Sequence, residues 1–367
     1  MFDRRLIENF DWILVCLVMA LAGLGILNLY SASSGFSTGG TPVYLKQIYW
    51  LLLGLGCMVG VLFFDYNKLK ESAYLLYALG LILLIVVLVL GRTSSGATRW
   101  IDLGFFRFQP SEPVKLMVIL ALAKYFSRRE YPNGLGFRHL IVPALLVGAP
   151  FCLIYKQPDL GTALHLAAAC LSVLVFLRVR RTVLITLGVL LAGTAPLVWT
   201  LLKDYQKQRI VTFLNPEQDP LGAGYHIIQS KIAVGSGQFW GKGFMAGTQS
   251  QLRFLPEQHT DFAFSVFAEE WGFAGSFVLL TLFFFLILSS LRVMLHSQDR
   301  FGALLALGLT AMIFWQFFIN IGMVIGLMPV VGIPLPLVSY GGTSLITTFL
   351  AVGLLLNISM RRFMFHK

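Results

Sequence analysis

Charge is what this sequence has least of. Only 12% of its 367 residues are Asp, Glu, Lys or Arg, against roughly 25% in ordinary soluble domains, and 57% are hydrophobic. That shortfall excludes a conventional water-soluble domain. Cysteine is scarce too. Cys16, Cys57, Cys152 and Cys170 all fall inside apolar runs, which argues against a disulfide framework or a cysteine-ligated metal cluster and leaves four small buried apolar residues. No soluble domain interrupts the apolar runs, and no internal repeat of the kind that marks many secondary transporters is visible. The net charge of +11 is explained by basic anchors to anionic lipid headgroups, and nothing points to nucleic acid.

What the chain does have is hydrophobic length. A bilayer core of about 30 Å needs roughly 20 mostly apolar residues per crossing. Ten runs qualify: 11–31, 47–64, 72–91, 112–126, 140–155, 161–178, 182–202, 261–295, 301–327 and 343–360. The fourth and fifth are short and the eighth is long. The expected fold class is therefore an all-α polytopic membrane protein, one transmembrane domain over 1–367. The first run is longer than the apolar core of a cleaved signal peptide and reads as a retained helix. An even number of spans puts both termini on one side, and 16 of the 28 Lys and Arg residues lie on that side. The bias predicts cytoplasmic termini in the inner membrane.

The longest connection, 203–260, lies outside the membrane in this topology. It is too short for a core of its own and longer than most bundle loops, a length that usually signals function. Within it, residues 225–234 read as a short interfacial helix.

Four polar strings fall on that same outer face: QPSEPVKL at 109–116, KQPDLGT at 156–162, the 203–261 connection, and PVVGIPLPLVSYGGTS at 329–344. Glu112 and Lys115 are three residues apart and share a helix face. They either open a helix, with Ser111 as cap and Pro113 in the first turn, or hold a cleft together. Asp159 reads first as a helix cap, with Lys156 beside it. Three prolines in 329–336 forbid a regular helix. So apolar a segment fits irregular backbone enclosed by protein or lining a cavity, ending at Ser339 and Thr343 where glycines let backbone N–H groups approach a ligand. His165, alone on an apolar span, reads as a satisfied packing residue.

LPEQHTDFAFSVFAEEWGF, 255–273, carries His259 and three carboxylates. With Thr260 as N-cap, Asp261 enters the first helical turn, where the dipole favours its ionised form. Glu269 would then lie about 80° around the helix and roughly 12 Å deeper. The three acids cannot converge. Asp261 is the cleft-facing base candidate, while Glu269 and Glu270 tie the helix to neighbours or line a crevice, at least one of them paired or protonated. A single helix over 261–295 would be about 53 Å long, so it must protrude, tilt, or break near Gly272 or Gly275.

RIVTFLNPEQDPLGAGYHIIQSKIAVGSGQFWGKG, LPEQHTDFAFSVFAEEWGF and PLPLVSYGGTS closely resemble the SEDS family (shape, elongation, division and sporulation), over essentially the whole chain. GTQSQLRFLPEQHTDF followed by AEEWGF resembles its elongation branch more than its division branch. The resemblance implies a peptidoglycan glycosyltransferase that polymerises lipid II into β-1,4 glycan strands with inversion, Asp261 deprotonating the acceptor. The released undecaprenyl pyrophosphate needs cations, for which Lys115, Arg209, Lys231, Lys242 and Arg253 are candidates. A divalent cation, magnesium or manganese, is a further candidate; no metal ligands are assigned. The implied partners are a class B penicillin-binding protein, other elongation-complex proteins and membrane lipids. A lipid II flippase and a non-catalytic scaffold are the competing readings.

Overall fold

The computed structural model describes residues 10–33, 41–94, 97–102, 104, 107–132, 134–202, 204–218, 223–252, 254–255 and 257–362. Arg253 lies outside them. Among the described residues every expected span falls on a helix: α1 (Trp12–Ser33), α2 (Val43–Leu62), α3 (Tyr66–Leu90), α4 (Ser111–Ser127), α5 (Phe137–Lys156), α6 (Leu160–Phe176), α7 (Arg181–Leu201), and, after the long connection, α11 (Ala263–Leu295), α12 (Arg300–Val324) and α13 (Gly342–Met360). Seven of these, α1, α2, α3, α5, α11, α12 and α13, are long and apolar enough to cross a membrane. The protein is a polytopic helical membrane protein.

Three of the scarce acids serve as helix starts. Asp65, Asp159 and Asp299 sit at the N-caps of α3, α6 and α12 and accept backbone N–H bonds from Asn67, Thr162 and Gly302, each satisfying a donor that the helix leaves orphaned. Helix α4 is 17 residues long and buried along most of its length, including Lys115 and Lys124. It packs against α3 and α12 inside the bundle. Enclosed in this way, it need not be apolar enough to face lipid. Cysteine departs from expectation. Only Cys170 is buried; Cys16 and Cys152 are exposed and all four are free. The outer face of a span meets lipid, which suits a thiol as well as a protein interior does.

The connection between α3 and α4 holds three short antiparallel strands, β1 (Arg92–Ser94), β2 (Ala97–Asp102) and β3 (Arg107–Phe108). The hydrophobic pattern announces none of them. The long connection holds α8 (Asp204–Leu214), a single 3₁₀ turn at Pro216–Gln218, α9 (Ala223–Ser236) and α10 (Thr248–Gln251). Helix α9 contains the expected 225–234 segment and packs on α11.

At Gly272 helix α11 breaks, with φ 63° and ψ −160°, a conformation only glycine adopts cheaply. The 237–243 loop fills the break. Phe273 and Ala274 N–H groups donate to the carbonyls of Gln238 and Phe239, at 2.8 and 3.0 Å, while Lys242 and Gly243 N–H groups donate to Glu269 and Glu270 carbonyls at 3.0 Å each. The interruption therefore leaves these backbone groups paired, which is the condition for breaking a helix at membrane depth.

Candidate active site

The proline-rich segment from Pro329 to Tyr340 is irregular, as its composition demands, and side-chain amides from neighbouring helices satisfy its backbone. Asn320 Nδ2 donates to the Ile333 carbonyl at 2.8 Å and to the Asp261 carbonyl at 3.0 Å. Gln316 Nε2 donates to the Pro334 carbonyl at 3.0 Å, and Gln47 Nε2 to the Ser339 carbonyl at 3.1 Å. One amide of α12 thus fastens the base candidate to this segment.

Four further contacts close the ring. A β-carbon on Gly161 would stand 2.4 Å from the Val331 carbonyl, so the start of α6 lies directly against the segment. A β-carbon on Gly332, at φ 75°, would stand 3.5 Å from Oδ2 of Asp261, placing that carboxylate beside Gly332. Gln109 donates through its backbone N–H to Thr343 Oγ1 at 3.3 Å and through Nε2 to Asp159 Oδ2 at 3.2 Å. Residues from all four polar strings therefore meet around one end of the bundle.

Asp261 precedes α11 by two residues, lying in a turn over 257–262. The expected cap is wrong in detail: Phe262 holds the N-cap position, and Thr260 Oγ1 donates instead to Glu257, through its carbonyl at 3.3 Å and its carboxylate at 3.1 Å. The expected low proton affinity is reversed as well. Burial pushes the Asp261 carboxyl up to about 6, Glu257 and Asp159 reinforcing the rise while Arg209 and Arg99 oppose it. Desolvation outweighs a helix dipole that weakens within one turn. Among the described residues the carboxylate takes no ion pair, although it keeps some solvent exposure.

Several other candidates gather here. Ser339 Oγ accepts the Leu335 N–H at 3.0 Å and holds the turn leading to α13. The His259 carbonyl accepts the Tyr340 N–H at 2.8 Å, and the two rings lie 6.4 Å apart. Burial lowers the proton affinity of the His259 imidazole against the opposing charge of Glu257. Asp159 caps α6 and also faces Arg99, whose Nε is 3.7 Å away. Arg99 is a cation near the candidate base that the sequence reading missed, because nothing local marks it. Only the chain reversal of the small sheet brings it to Asp159.

The remaining candidates form no hydrogen bond or ion pair with Asp261 among the described residues. Lys115 and Glu112 pair at 2.9 Å inside the bundle, both side chains nearly inaccessible. Lys115 Nζ also approaches His165 Nδ1 at 3.2 Å. The other ring nitrogen of His165 donates to the Met312 carbonyl at 2.8 Å, which leaves Nδ1 as the acceptor. His165 is satisfied, as expected, with Lys115 as its partner. Ser111 does not cap α4: the helix starts after Pro110, and Ser111 Oγ is buried without a hydrogen-bond partner. Lys156 is exposed at the end of α5. Lys231 lies across Gly326, its Cε 2.0 Å from where a β-carbon would stand, at the C-terminus of α12 where a cation is favourable.

Lys242 is committed to Glu269. Their ion pair is 2.7 Å long, and Glu269 also accepts the Gln249 N–H at 3.0 Å, the Ser250 N–H at 3.4 Å and the Thr248 hydroxyl at 3.1 Å. Glu270 accepts the Ser31 hydroxyl through Oε1, while its Oε2 is buried without a partner. As expected, the glutamates tie the helix to its neighbours, Glu269 to the 242–250 segment and Glu270 to α1.

Ten helices in the expected places and a half-enclosed carboxylate within the field of two arginines define a membrane protein with a polar cleft at one end. A family model described as "Cell cycle protein", covering FtsW, RodA and SpoVE, matches residues 11–363. The chain is 43% identical over 352 residues to the peptidoglycan glycosyltransferase MrdB of Escherichia coli (strain K12), covering 95% of this chain and 94% of that one. It is 37% identical to the peptidoglycan glycosyltransferase RodA of Treponema pallidum (strain Nichols), with coverage of 98% and 99%. The fold also matches a chain of a peptidoglycan synthase complex that coordinates polymerization and crosslinking, with TM-score 0.83, 36% identity and coverage of 97% and 99%. It matches the rod shape determining protein RodA of Thermus thermophilus with TM-score 0.72, 32% identity and coverage of 96% and 98%. The chain belongs to the FtsW, RodA and SpoVE family.

Proposed function

We propose that this chain is a peptidoglycan glycosyltransferase that polymerises lipid II during cell elongation, with Asp261 as general base. The observation that carries the mechanism is the Asp261 carboxyl itself, raised to about 6 by burial yet still reachable. A base works best when its proton affinity sits near the working pH, and this one is ionised at neutrality while holding a proton more tightly than an ordinary aspartate.

The acceptor hydroxyl gives its proton to Asp261 as its oxygen bonds to the donor's anomeric carbon. The bond from that carbon to the diphosphate breaks on the opposite face. An α-linked donor becomes a β-1,4 product in one displacement, which requires one base and no covalent enzyme intermediate. Undecaprenyl pyrophosphate leaves with its charge met by fixed cations. Arg209 suits that task because its field reaches Asp261. Lys242 is spent on Glu269, and Lys115 on Glu112 and His165.

Among the described residues no three His, Cys, Asp or Glu side chains converge. The described residues offer no metal cage of their own, so magnesium or manganese would take most of its oxygen ligands from the substrate diphosphate, and no step here is routed through a cation. In this reading the termini are cytoplasmic, the Asp261 cleft opens on the outer face, and 203–260 belongs to the single transmembrane domain. A class B penicillin-binding protein crosslinks the strand. The flippase reading draws on the buried carboxylates Glu269 and Glu270. Glu269 is committed to holding the 242–250 loop, whereas Glu270 keeps one carboxylate oxygen buried without a partner.

The test is to give the detergent-solubilised complex of this chain with its penicillin-binding protein labelled lipid II, comparing wild type with Asp261→Asn. Flipping has no meaning in detergent. Polymer from wild type alone supports the proposal; equal polymer from both removes Asp261 from the mechanism, and none from either intact complex removes the enzyme.

A further inference from the structure

Arg99, half-buried on β2, is held by one hydrogen bond and one ion pair, although its buried Nε itself makes no hydrogen bond. Its Nη2 donates to the Pro158 carbonyl, and its Nε stands 3.7 Å from Asp159 Oδ2. Asp159 is itself fixed, accepting the Thr162 N–H at 3.3 Å and Gln109 Nε2 at 3.2 Å. A carboxylate that is 2% exposed therefore stands within ion-pair range of a guanidinium whose side chain is 24% exposed. With five N–H donors on the fork, most remain for a second anion.

Arg99 is near enough to Asp261 to favour its ionised form, yet the two form no ion pair. Collapse of the arginine onto the base would lower the base's proton affinity and use up the cation. Asp159 and the Pro158 carbonyl supply a competing hold that keeps the two apart.

We infer that Arg99 binds the diphosphate of the lipid-linked donor, and that Asp159 is a positioning residue that holds this guanidinium away from Asp261. The inference rests on the glycosyl-transfer reading above and assigns its leaving-group site. When the bond between anomeric carbon and diphosphate oxygen breaks, the electron pair stays on that oxygen. Arg99 hydrogen-bonds the diphosphate there, while the acceptor's proton passes to Asp261 on the other face. A base and a leaving-group cation must flank the reacting carbon without neutralising each other.

The experiment measures binding of undecaprenyl diphosphate, and separately of inorganic diphosphate, to the detergent-solubilised partner complex. Arg99→Gln is expected to weaken undecaprenyl diphosphate binding about tenfold or more, Arg99→Lys by less, and Asp261→Asn by no more than about twofold. Inorganic diphosphate, lacking the prenyl chain, should compete only weakly; equal competition would mean that free diphosphate is the ligand and would overturn the lipid-linked assignment. Wild-type affinity in Arg99→Gln overturns the proposal, and if that variant does not fold, wild-type affinity in Arg99→Lys does the same. Because binding is read without turnover, failure of wild type to polymerise would sink the glycosyltransferase reading and leave this result standing.

Asp159→Asn tests the positioning role. The charges facing Asp261 are Glu257 and Asp159, which raise its proton affinity, and Arg209 and Arg99, which lower it. Removing Asp159 deletes one raising charge and frees Arg99 to approach, so the acid limb of kcat/KM should move to lower pH. An unmoved limb overturns the positioning role.

Discussion

Asp261 and Glu269 are eight residues apart on one stretch of chain, and the structure treats them oppositely. Glu269 is fully inaccessible and surrounded by donors: an ammonium, two backbone N–H groups and a hydroxyl. Asp261 is left with some exposure and, among the described residues, no ion pair. A carboxylate whose lone pairs are all spoken for stabilises a loop and has no capacity left for chemistry. One that is desolvated but unengaged has its proton affinity raised and an empty acceptor, which is what a base requires. The difference between the regions is one of hydrogen-bond accounting. Both carry carboxylates, and both sit beside cations.

That contrast can be broken by mutation. Asp261→Asn should reduce glycan synthesis by at least about a hundredfold, the lower bound for loss of a positioned base, while leaving the thermal midpoint nearly unchanged. A large drop in midpoint would place Asp261 with Glu269 as a structural residue. Glu269→Gln should do the reverse. Removing one partner of a buried pair costs about 3–5 kcal/mol, and the lower end applies because the Lys242 side chain is 27% exposed. The readout is denaturation of the purified protein, with proteolysis of the 242–250 loop as a local check.

Gly272→Ala probes the break between the two halves of α11. Its positive φ and a β-carbon placed 2.2 Å from Gly241 N predict a loss of about 2 kcal/mol or more, read in the same denaturation experiment. Smallest of all is Lys156→Ala. This exposed residue makes no ion pair among the described residues, so it should change stability by less than about 0.5 kcal/mol and leave the polymerisation rate unaltered.

Much of this plan was legible in the sequence because bilayer thickness imposes a length that composition alone reveals. All ten runs became helices, the overlong eighth one broke at Gly272, and the three prolines of 329–336 kept that segment irregular. Other features were hidden for physical reasons. In a bilayer an apolar residue is equally at home facing lipid or protein, so the pattern could not show that Cys16 and Cys152 face outward while Cys170 is buried. The two ends of the Arg99–Asp159 contact lie 60 residues apart, and the Lys115–His165 contact spans 50; no local signal encodes either. Asp261 was recognised as the base for partly the wrong reason. The helix dipole was expected to keep it ionised, whereas burial sets its proton affinity.

The most direct test of that claim is the pH dependence of kcat/KM for glycan polymerisation by the intact complex. Asp261 must be deprotonated to accept a proton, so the rate should fall about tenfold per pH unit below an apparent value near 6 and level off above it. A profile that stays flat from pH 7 down through 5 would contradict the account, because a carboxyl raised by burial would then have no part in the rate.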